Sequence, residues 1–238
     1  AGKAARKHGL DRREVEDLAY CRYQQYFQAK QSGFLDRVLV PLEVLNVQGR
    51  FLGKIDDDVG VRQLTLDSIR QLRELDDCVT TATQTHASDG MATLLVTSPE
   101  KARELSPRPE IVIEFVAKAE MRTHPALMPE APTYAVQKLL EKTGYTLADM
   151  AVIKSHNPFA INDAIFAKVM EHDCSEVNKT GCSLVWGHPQ GPTLTRLLIE
   201  GLEEAVDLGG GLVLVFGCAA GDMGIAALFR VTEGGQSK

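Results

Sequence analysis

Short apolar runs alternate with amphipathic stretches through the second half of the chain. Runs typical of strands lie at 110–119, 150–154, 182–186, 212–216 and 225–231. Helical periodicity lies between them, at 131–142, 160–171 and 193–206. This alternation predicts βαβ units and a layered α/β core. Only residues 217–224 separate the last two strands, so we expect these strands to form an antiparallel hairpin.

The first half of the chain is less regular. Asp11 is a suitable N-cap for a helix reaching about residue 29, and residues 64–75 have the spacing of a second helix. Strands are predicted at 38–47, interrupted by a proline, and at 93–97. Ser98 and Pro99 then begin another helix, at its N-cap and first position. Between these elements, residues 78–89 form a polar run whose length is typical of a functional loop.

Composition narrows the class of protein. The 238 residues are 44% hydrophobic, which is ample for a packed core. A net charge of −6 argues against nucleic-acid binding, and no apolar run approaches the length of a membrane span. Five cysteines without CxxC spacing predict neither a disulfide framework nor a zinc site, so we expect a cytoplasmic protein without a bound metal ion. The glycines at 209–211 lack the context of a dinucleotide fingerprint, which excludes a nucleotide cofactor of that type.

Two turns carry the candidate chemistry. His188 follows the predicted strand 182–186 and precedes a proline-rich bend into a helix, so we expect it on a strand-to-helix turn. Cys218 leaves the end of the strand 212–216 in a glycine-rich turn. A lone histidine on a turn is more often structural, and a lone cysteine is more often a core residue. Their joint occurrence after strands favours a functional interpretation.

The two motifs resemble those of a known family. Gly-His-Pro-Gln-Gly at 187–191, followed about thirty residues later by Cys-Ala-Ala-Gly-Asp-Met-Gly at 218–224, resembles the C-terminal signature of thiolases. The segment at 155–160 is similar to the family's Asn-Glu-Ala-Phe or His-Glu-Ala-Phe segment. Further similar stretches lie in order at 33–41, 81–92 and 125–128. The resemblance therefore covers nearly the whole chain and implies a thiolase-like layered α-β-α-β-α fold.

The resemblance also implies residue roles. His188 would activate a nucleophilic cysteine, and Cys218 would be a second acid/base at the α-carbon. His156 and the backbone N–H of Ala220 would serve oxyanion holes. Contacts with the pantetheine and acyl end of the substrate would come from Met128, Phe159 and His86. Two departures lie beside the implied acyl pocket: Ala220 and Asp222 replace glycines, and Pro158 replaces a small residue.

The nucleophilic cysteine that these roles require has no match in this chain. Thiolases carry their acyl-accepting cysteine in an N-terminal half, and none of Cys21, Cys78, Cys174 and Cys182 has a suitable glycine-rich context. The chain also lacks an initiator methionine, so we expect it to be a piece of something longer. The implied divisions are a loop region of the N-terminal half at 1–77, the last strand and helix of that half at 78–106, and the C-terminal thiolase domain at 107–238.

The predicted function is acyl transfer between CoA thioesters, by thiolytic cleavage or Claisen condensation of 3-ketoacyl-CoA, in fatty acid or aromatic degradation. No cofactor beyond the CoA substrates is implied. The expected partners are the missing half or another subunit, in a homodimer or tetramer, with no nucleic acid or membrane. One alternative is a noncatalytic subunit or acyl-CoA-binding module that supports a partner chain. Another is a ketoacyl synthase, which uses a second histidine or an asparagine in place of Cys218.

Overall fold

The computed structural model describes residues 1–234, and its centre is a mixed four-stranded sheet of order β3-β6-β5-β4. The strands are β3 (Ile111–Arg122), β4 (Met150–His156), β5 (Gly210–Ala219) and β6 (Met223–Glu233). Strand β4 is parallel to β5, whereas β6 is antiparallel to both β5 and β3. The predicted α/β core and the final hairpin are therefore confirmed.

Helices cover both faces of this sheet. Helices α6 (Ala131–Thr143) and α7 (Ala160–Met170) lie on one face, and α9 (Thr193–Asp207) lies on the other. Successive side chains of β5 point to opposite faces of the sheet. Leu214 and Phe216 pack with α6 and α7, whereas Val213 and Val215 pack with α9. Burial on both sides explains why β5 is a continuous apolar run rather than an alternating one.

A glycine permits the closest approach between a helix and the sheet. A Cβ on Gly224 of β6 would lie 2.3 Å from the carbonyl carbon of Ala131, the first residue of α6. The backbone of α6 therefore rests directly on β6. Met128–Glu130, a short 3₁₀ turn, leads into this helix from the loop after β3.

The first part of the chain packs beside the sheet. Helices α1 (Gly2–His8) and α2 (Arg12–Gln31) contact α7. The side chain of Asp11 caps α2 as predicted, by accepting the N–H of Arg13. Short helices α3 (Phe34–Val38), α4 (Leu66–Arg70) and α5 (Pro99–Leu105) and the antiparallel hairpin of β1 (Leu42–Leu45) with β2 (Phe51–Ile55) complete the fold.

One prediction close to the site is wrong. Residues 182–186 do not form a strand, because α8 (Ser183–Trp186) is a single helical turn. The edge of β4 is instead occupied by Asn178, whose side-chain carbonyl accepts the N–H of Ser155 while its amide donates to the Ser155 carbonyl. A buried side-chain amide thus supplies hydrogen bonds that a neighbouring strand would have made.

Three other predicted elements differ. Residues 93–97 are not in a strand, and much of this segment is exposed, with Val96 at 90% exposure. Their apolar side chains have no sheet partner among residues 1–234, while the helix expected after Ser98 is present as α5. The strand predicted at 38–47 is limited to β1, since α3 includes Val38 and the remaining residues are irregular. The helix predicted at 64–75 is limited to α4.

The division into 1–77, 78–106 and 107–238 stays a prediction. Side chains from α1 and α2 share one hydrophobic core with side chains from α8, α9 and β5. Residues 235–238 of the last segment lie outside the described residues. Over residues 1–234, every helix falls short of the combination of length and apolar character that crossing a bilayer requires.

Candidate active site

His156 lies at the carboxyl end of β4, buried to 3% exposure. Its cross-strand neighbour on β5 is Gly217. A Cβ on Gly217 would lie 2.7 Å from the Cβ of His156 and 2.9 Å from Leu194 of α9. The glycine therefore leaves room for the imidazole on the face of the sheet that α9 covers.

The imidazole of His188 lies against the imidazole of His156. Helix α8 ends at Gly187, whose φ of 102° is accessible to glycine at little cost, and His188 follows directly. The two imidazole rings lie with their centroids 4.4 Å apart and their planes tilted by 38°. The expected strand-to-helix turn is thus a helix-to-helix turn, and it brings these two predicted site residues together.

Each imidazole has one nitrogen held by a hydroxyl group. His188 Nδ1 lies 2.8 Å from Thr193 Oγ1, at the start of α9, and His156 Nδ1 lies 2.7 Å from Ser183 Oγ, at the start of α8. The nitrogen that remains for a ligand or a water molecule is Nε2 in both rings. Ser183 was not predicted as a site residue, because only the fold places its hydroxyl beside His156.

Burial favours the neutral form of both rings. Burial and, to a smaller extent, the neighbouring His188 together lower the pKa of His156 to about 3. Burial also lowers the pKa of His188 from its usual value. A neutral imidazole can accept a proton from a thiol, which is what a general base for thiolate formation requires.

A buried polar network supports His156 from behind. Ser183 Oγ donates to Asn157 Oδ1 over 3.3 Å, and Asn157 Nδ2 donates to Asp163 Oδ2 over 2.6 Å. Asp163 in turn accepts from the guanidinium of Arg22, which is fully buried in α2. The network links the first long helix of the chain to the candidate site, and its members lie in three separate regions of the sequence.

The segment 83–88 connects the two site turns by backbone hydrogen bonds. Thr83 accepts the N–H of Ala160, and the N–H of Thr85 donates to Pro158 over 2.7 Å. The carbonyl of the next residue, His86, accepts the N–H of His188 over 2.9 Å. The polar run at 78–89 was predicted to be a functional loop, and here it holds the two histidine-bearing turns in position.

Cys218 lies on the opposite side of the sheet end. Adjacent strand residues face opposite ways, so Cys218 points toward α6 and α7 whereas Gly217 points toward α9. Its sulfur lies 3.6 Å from the side-chain amide of Asn162 in α7. Burial raises the pKa of the Cys218 thiol to about 12, and the Asn162 contact opposes this rise. Among the described residues, no hydrogen bond joins Cys218 to His156 or His188.

The hairpin turn after Cys218 has a backbone that favours glycine at two residues, of which only one is glycine. Ala220 is exposed directly after β5. Gly221 and Asp222 both have positive φ, at 89° and 57°. Aspartate is one of the few side chains that tolerates this region, which explains how Asp222 can replace a glycine there.

The three residues implied in substrate contact lie around these two clusters. Phe159 is half-buried at the N-terminus of α7 and pairs with Gln84. Met128 is half-buried in the 3₁₀ turn before α6. The Nε2 atom of His86 is buried without a hydrogen-bond partner, and it lies against both Gly60 and Gly187. Their roles in substrate contact stay predictions.

The arrangement offers His156 and the buried thiol of Cys218 at the carboxyl ends of the neighbouring parallel strands β4 and β5, with the imidazole of His188 against His156. Ligands often bind at this end of strands in α/β proteins. Among residues 1–234, no three His, Cys, Asp or Glu side chains converge as metal ligands. The groups present are suited to moving protons between sulfur, carbon and nitrogen.

Comparison with known proteins identifies a family model. The thiolase C-terminal domain matches residues 110–231. This range begins just before β3 and extends into β6, so it includes His156, His188 and Cys218.

Individual relatives match over nearly the whole chain. Acetyl-CoA acetyltransferase of Synechocystis sp. is 27% identical over 98% of the chain, and 3-ketoacyl-CoA thiolase of Aliivibrio fischeri is 31% identical over 97%. Among solved structures, Bacillus anthracis acetyl-CoA acetyltransferase superposes with a TM-score of 0.84 at 23% identity and covers 97% of the chain. Human mitochondrial 3-ketoacyl-CoA thiolase gives the same TM-score at 22% identity and the same coverage.

The coverage of those relatives is partial. The chain spans 56% of the length of the two sequence relatives and 58% of the two solved chains. The thiolase-like fold expected from the sequence is confirmed by the structural matches.

Proposed function

The chain belongs to the thiolase family, and we propose that it supplies the acid–base residues of a thiolase-type acyl-CoA acyltransferase. The observation that carries the proposal is the contact between His156 and His188 beside the Gly217–Cys218 strand end. The relatives named above are acetyltransferases or thiolases, which supports the same reaction class.

In the proposed reaction, His188 accepts the proton of a nucleophilic cysteine thiol. The thiolate attacks the 3-keto carbonyl of a 3-ketoacyl-CoA, and the bond between the α- and β-carbons breaks. The α-carbon takes a proton from the Cys218 thiol, which releases acetyl-CoA and leaves an acyl-enzyme. Cys218, now a thiolate, then removes the proton of incoming CoA, whose sulfur takes the acyl group. The nucleophile leaves as a thiolate and regains its proton from His188.

The remaining groups would stabilise the oxyanions. Because the Ser183 hydroxyl donates to Asn157, His156 Nδ1 is the donor to Ser183 and Nε2 is an acceptor. Within residues 1–234 no side chain or backbone group is hydrogen-bonded to this Nε2, which would hold a water molecule that donates to the thioester oxygen. The backbone N–H of Ala220 would serve the second oxyanion, with Met128, Phe159 and His86 against the acyl and pantetheine groups. The chemistry needs no metal ion or redox cofactor beyond the CoA substrates. A thioester must reach both sides of the sheet end for this mechanism to operate.

The nucleophile is proposed to come from a second polypeptide segment, in the same gene product or in a partner subunit. The exposed apolar residues at 91–96 are suited to pack against that segment, within a homodimer or tetramer. Five free cysteines fit a reducing compartment, so we place the proposed reaction in the cytoplasm, in fatty acid or aromatic degradation.

Mass spectrometry of the complete assembly tests this function. Exposure to acetoacetyl-CoA should acylate one cysteine, and His188→Asn should slow that acylation by about 10²-fold or more. Cys78→Ser is the matched control, because Cys78 is buried outside the site. If no cysteine becomes acylated in the complete assembly, the catalytic proposal is wrong.

Two alternative functions can be distinguished from this one by experiment. The altered turn at Ala220 and Asp222 favours a noncatalytic acyl-CoA-binding subunit as a second candidate. Calorimetry with acyl-CoA would then show binding by the complete assembly without turnover. The variant Cys218→Ser distinguishes a thiolase from a ketoacyl synthase, because it should strongly impair a thiolase and have little effect on a synthase.

A further inference from the structure

Asn162 occupies the space between Cys218 and the turn before α6. It lies in the first turn of α7, and it is 3% exposed. Its Nδ2 atom lies 3.6 Å from the sulfur of Cys218 and 3.2 Å from the carbonyl oxygen of Pro129. Its Oδ1 atom accepts the N–H of Phe159 over 3.3 Å. One small side chain thus joins three separate parts of the candidate site.

These contacts fix which way the amide points. Reversing the amide would place its oxygen against the Pro129 carbonyl oxygen, where two acceptors repel. It would also place the NH₂ group against the Phe159 N–H, where two donors repel. The observed orientation pairs every group correctly, so one N–H is directed at Cys218 Sγ. A buried amide held in this way cannot rotate freely to offer the sulfur an acceptor instead.

Other charged groups near this cluster are engaged elsewhere. Glu130, beside Pro129, is bound by Lys7 and His8. Asp163, beside Asn162 in α7, is bound by Arg22. The imidazole of His156 lies across the sheet end, toward α9, and is neutral. Apart from burial, the groups that shift the Cys218 pKa are the Asn162 amide and the cysteine's own backbone, and both lower it.

We propose that Asn162 is a positioning residue that holds the Cys218 side chain and stabilises its thiolate by donating an amide hydrogen to the sulfur. The catalytic consequence rests on the proposed function, whereas the hydrogen bond itself rests only on geometry. Thiolase-type chemistry requires Cys218 to alternate between thiol and thiolate. A fixed neutral donor assists that exchange without adding a charge that would hold the sulfur permanently ionised.

Alkylation of Cys218 measures this interaction directly. A hydrogen bond to a charged group is worth about one to two pKa units, so Asn162→Ala should raise the pKa of the thiol by about one unit or more. At any pH below both pKa values, the thiolate fraction then falls about tenfold per unit. Peptide-resolved mass spectrometry of the complete assembly with iodoacetamide at pH 7–9 should show Cys218 reacting about tenfold more slowly. Cys78 in the same sample should be unchanged.

Whether alkylation of Cys218 becomes slower or faster in Asn162→Ala distinguishes a specific role of the amide from a loss of packing. If Asn162 only fills space, its removal should expose the sulfur and make alkylation faster. Equal or faster labelling of Cys218 in Asn162→Ala therefore contradicts the proposal. Asn162→Asp is nearly isosteric and replaces the donor by a carboxylate, so its labelling should be slower still. Circular dichroism and Trp186 fluorescence report whether each variant is folded. If Asn162→Asp does not fold, the labelling rate of Asn162→Ala alone decides the proposal.

Turnover gives the second readout. We expect kcat for acyl transfer to fall about tenfold in Asn162→Ala while the KM for acyl-CoA stays within about twofold, since the amide contacts the acid/base and not the substrate. If the assembly shows no acyl transfer at all, the proposed function fails, yet the labelling ratio still decides the role of Asn162. If KM rises and kcat is unchanged, the positioning role is wrong.

Discussion

The imidazole rings of His156 and His188 lie 4.4 Å apart, centroid to centroid, at the carboxyl end of β4. The two residues are far apart in sequence and come from β4 and from the turn before α9. Their proximity means that a proton on one ring opposes a proton on the other. The pair is therefore expected to operate as neutral base and neutral hydrogen-bonding group.

Removing one ring should change the titration of the other. In His188→Asn we expect the pKa of His156 to rise by less than about one unit, because burial is the larger cause of its depression and persists. NMR titration of the His156 ring signals measures the change. His124→Asn, at an exposed histidine, should have no effect. An unchanged or lower pKa in His188→Asn would show that the rings do not interact.

Acid should destabilise the protein through His156. Its pKa is about 3 in the folded state and about 6.5 when unfolded, so the unfolded state binds more protons between these values. Stability is therefore lost as pH falls below about 6.5, and at pH 5 the loss from this group is about 2 kcal/mol. Urea unfolding measures the free energy of unfolding at pH 7.5 and at pH 5. The decrease between the two pH values should be smaller for His156→Asn than for the parent or for His124→Asn. Equal differences in all three proteins would contradict the assignment.

Arg22 should be a major determinant of stability. Arg22→Met leaves the buried carboxylate of Asp163 without its cation, and we expect a loss of about 3–5 kcal/mol. The matched control is Arg70→Met, which breaks the exposed pair with Asp17 and should cost less than about 1 kcal/mol. Chemical unfolding followed by circular dichroism compares them. Similar losses for the two variants would mean that the buried network contributes little.

The contact between β6 and α6 predicts a steric effect. Gly224→Ala places a Cβ 2.3 Å from backbone carbon in Ala131, so the helix must shift and stability should fall by about 1–3 kcal/mol. Gly53→Ala is the control, since nothing lies within 4 Å of its added Cβ. Thermal unfolding distinguishes the two. A Gly224→Ala protein as stable as Gly53→Ala would show that α6 does not rest on β6 as described.

The sequence predicted the regular elements of the second half because their signals are local. The periodicity at 131–142 and 193–206 and the apolar run at 212–216 correspond to α6, α9 and β5. It failed at 182–186, where a short and mostly apolar run is compatible with either a strand or a buried helical turn. The bonds from Asn178 to Ser155 complete the sheet edge there, and nothing in the run itself signals them.

By itself the sequence determined the α/β class and the final hairpin, because each depends on patterns within short stretches, whereas the joint role of His188 and Cys218 stays a prediction from the family resemblance. Only the tertiary structure decided that His156 meets His188, that segment 83–88 holds both turns, and that Asn162 faces Cys218. These relations join residues from different elements. Hydrogen bonds and packing across the sheet end fix them, and no local pattern encodes which distant side chains will meet.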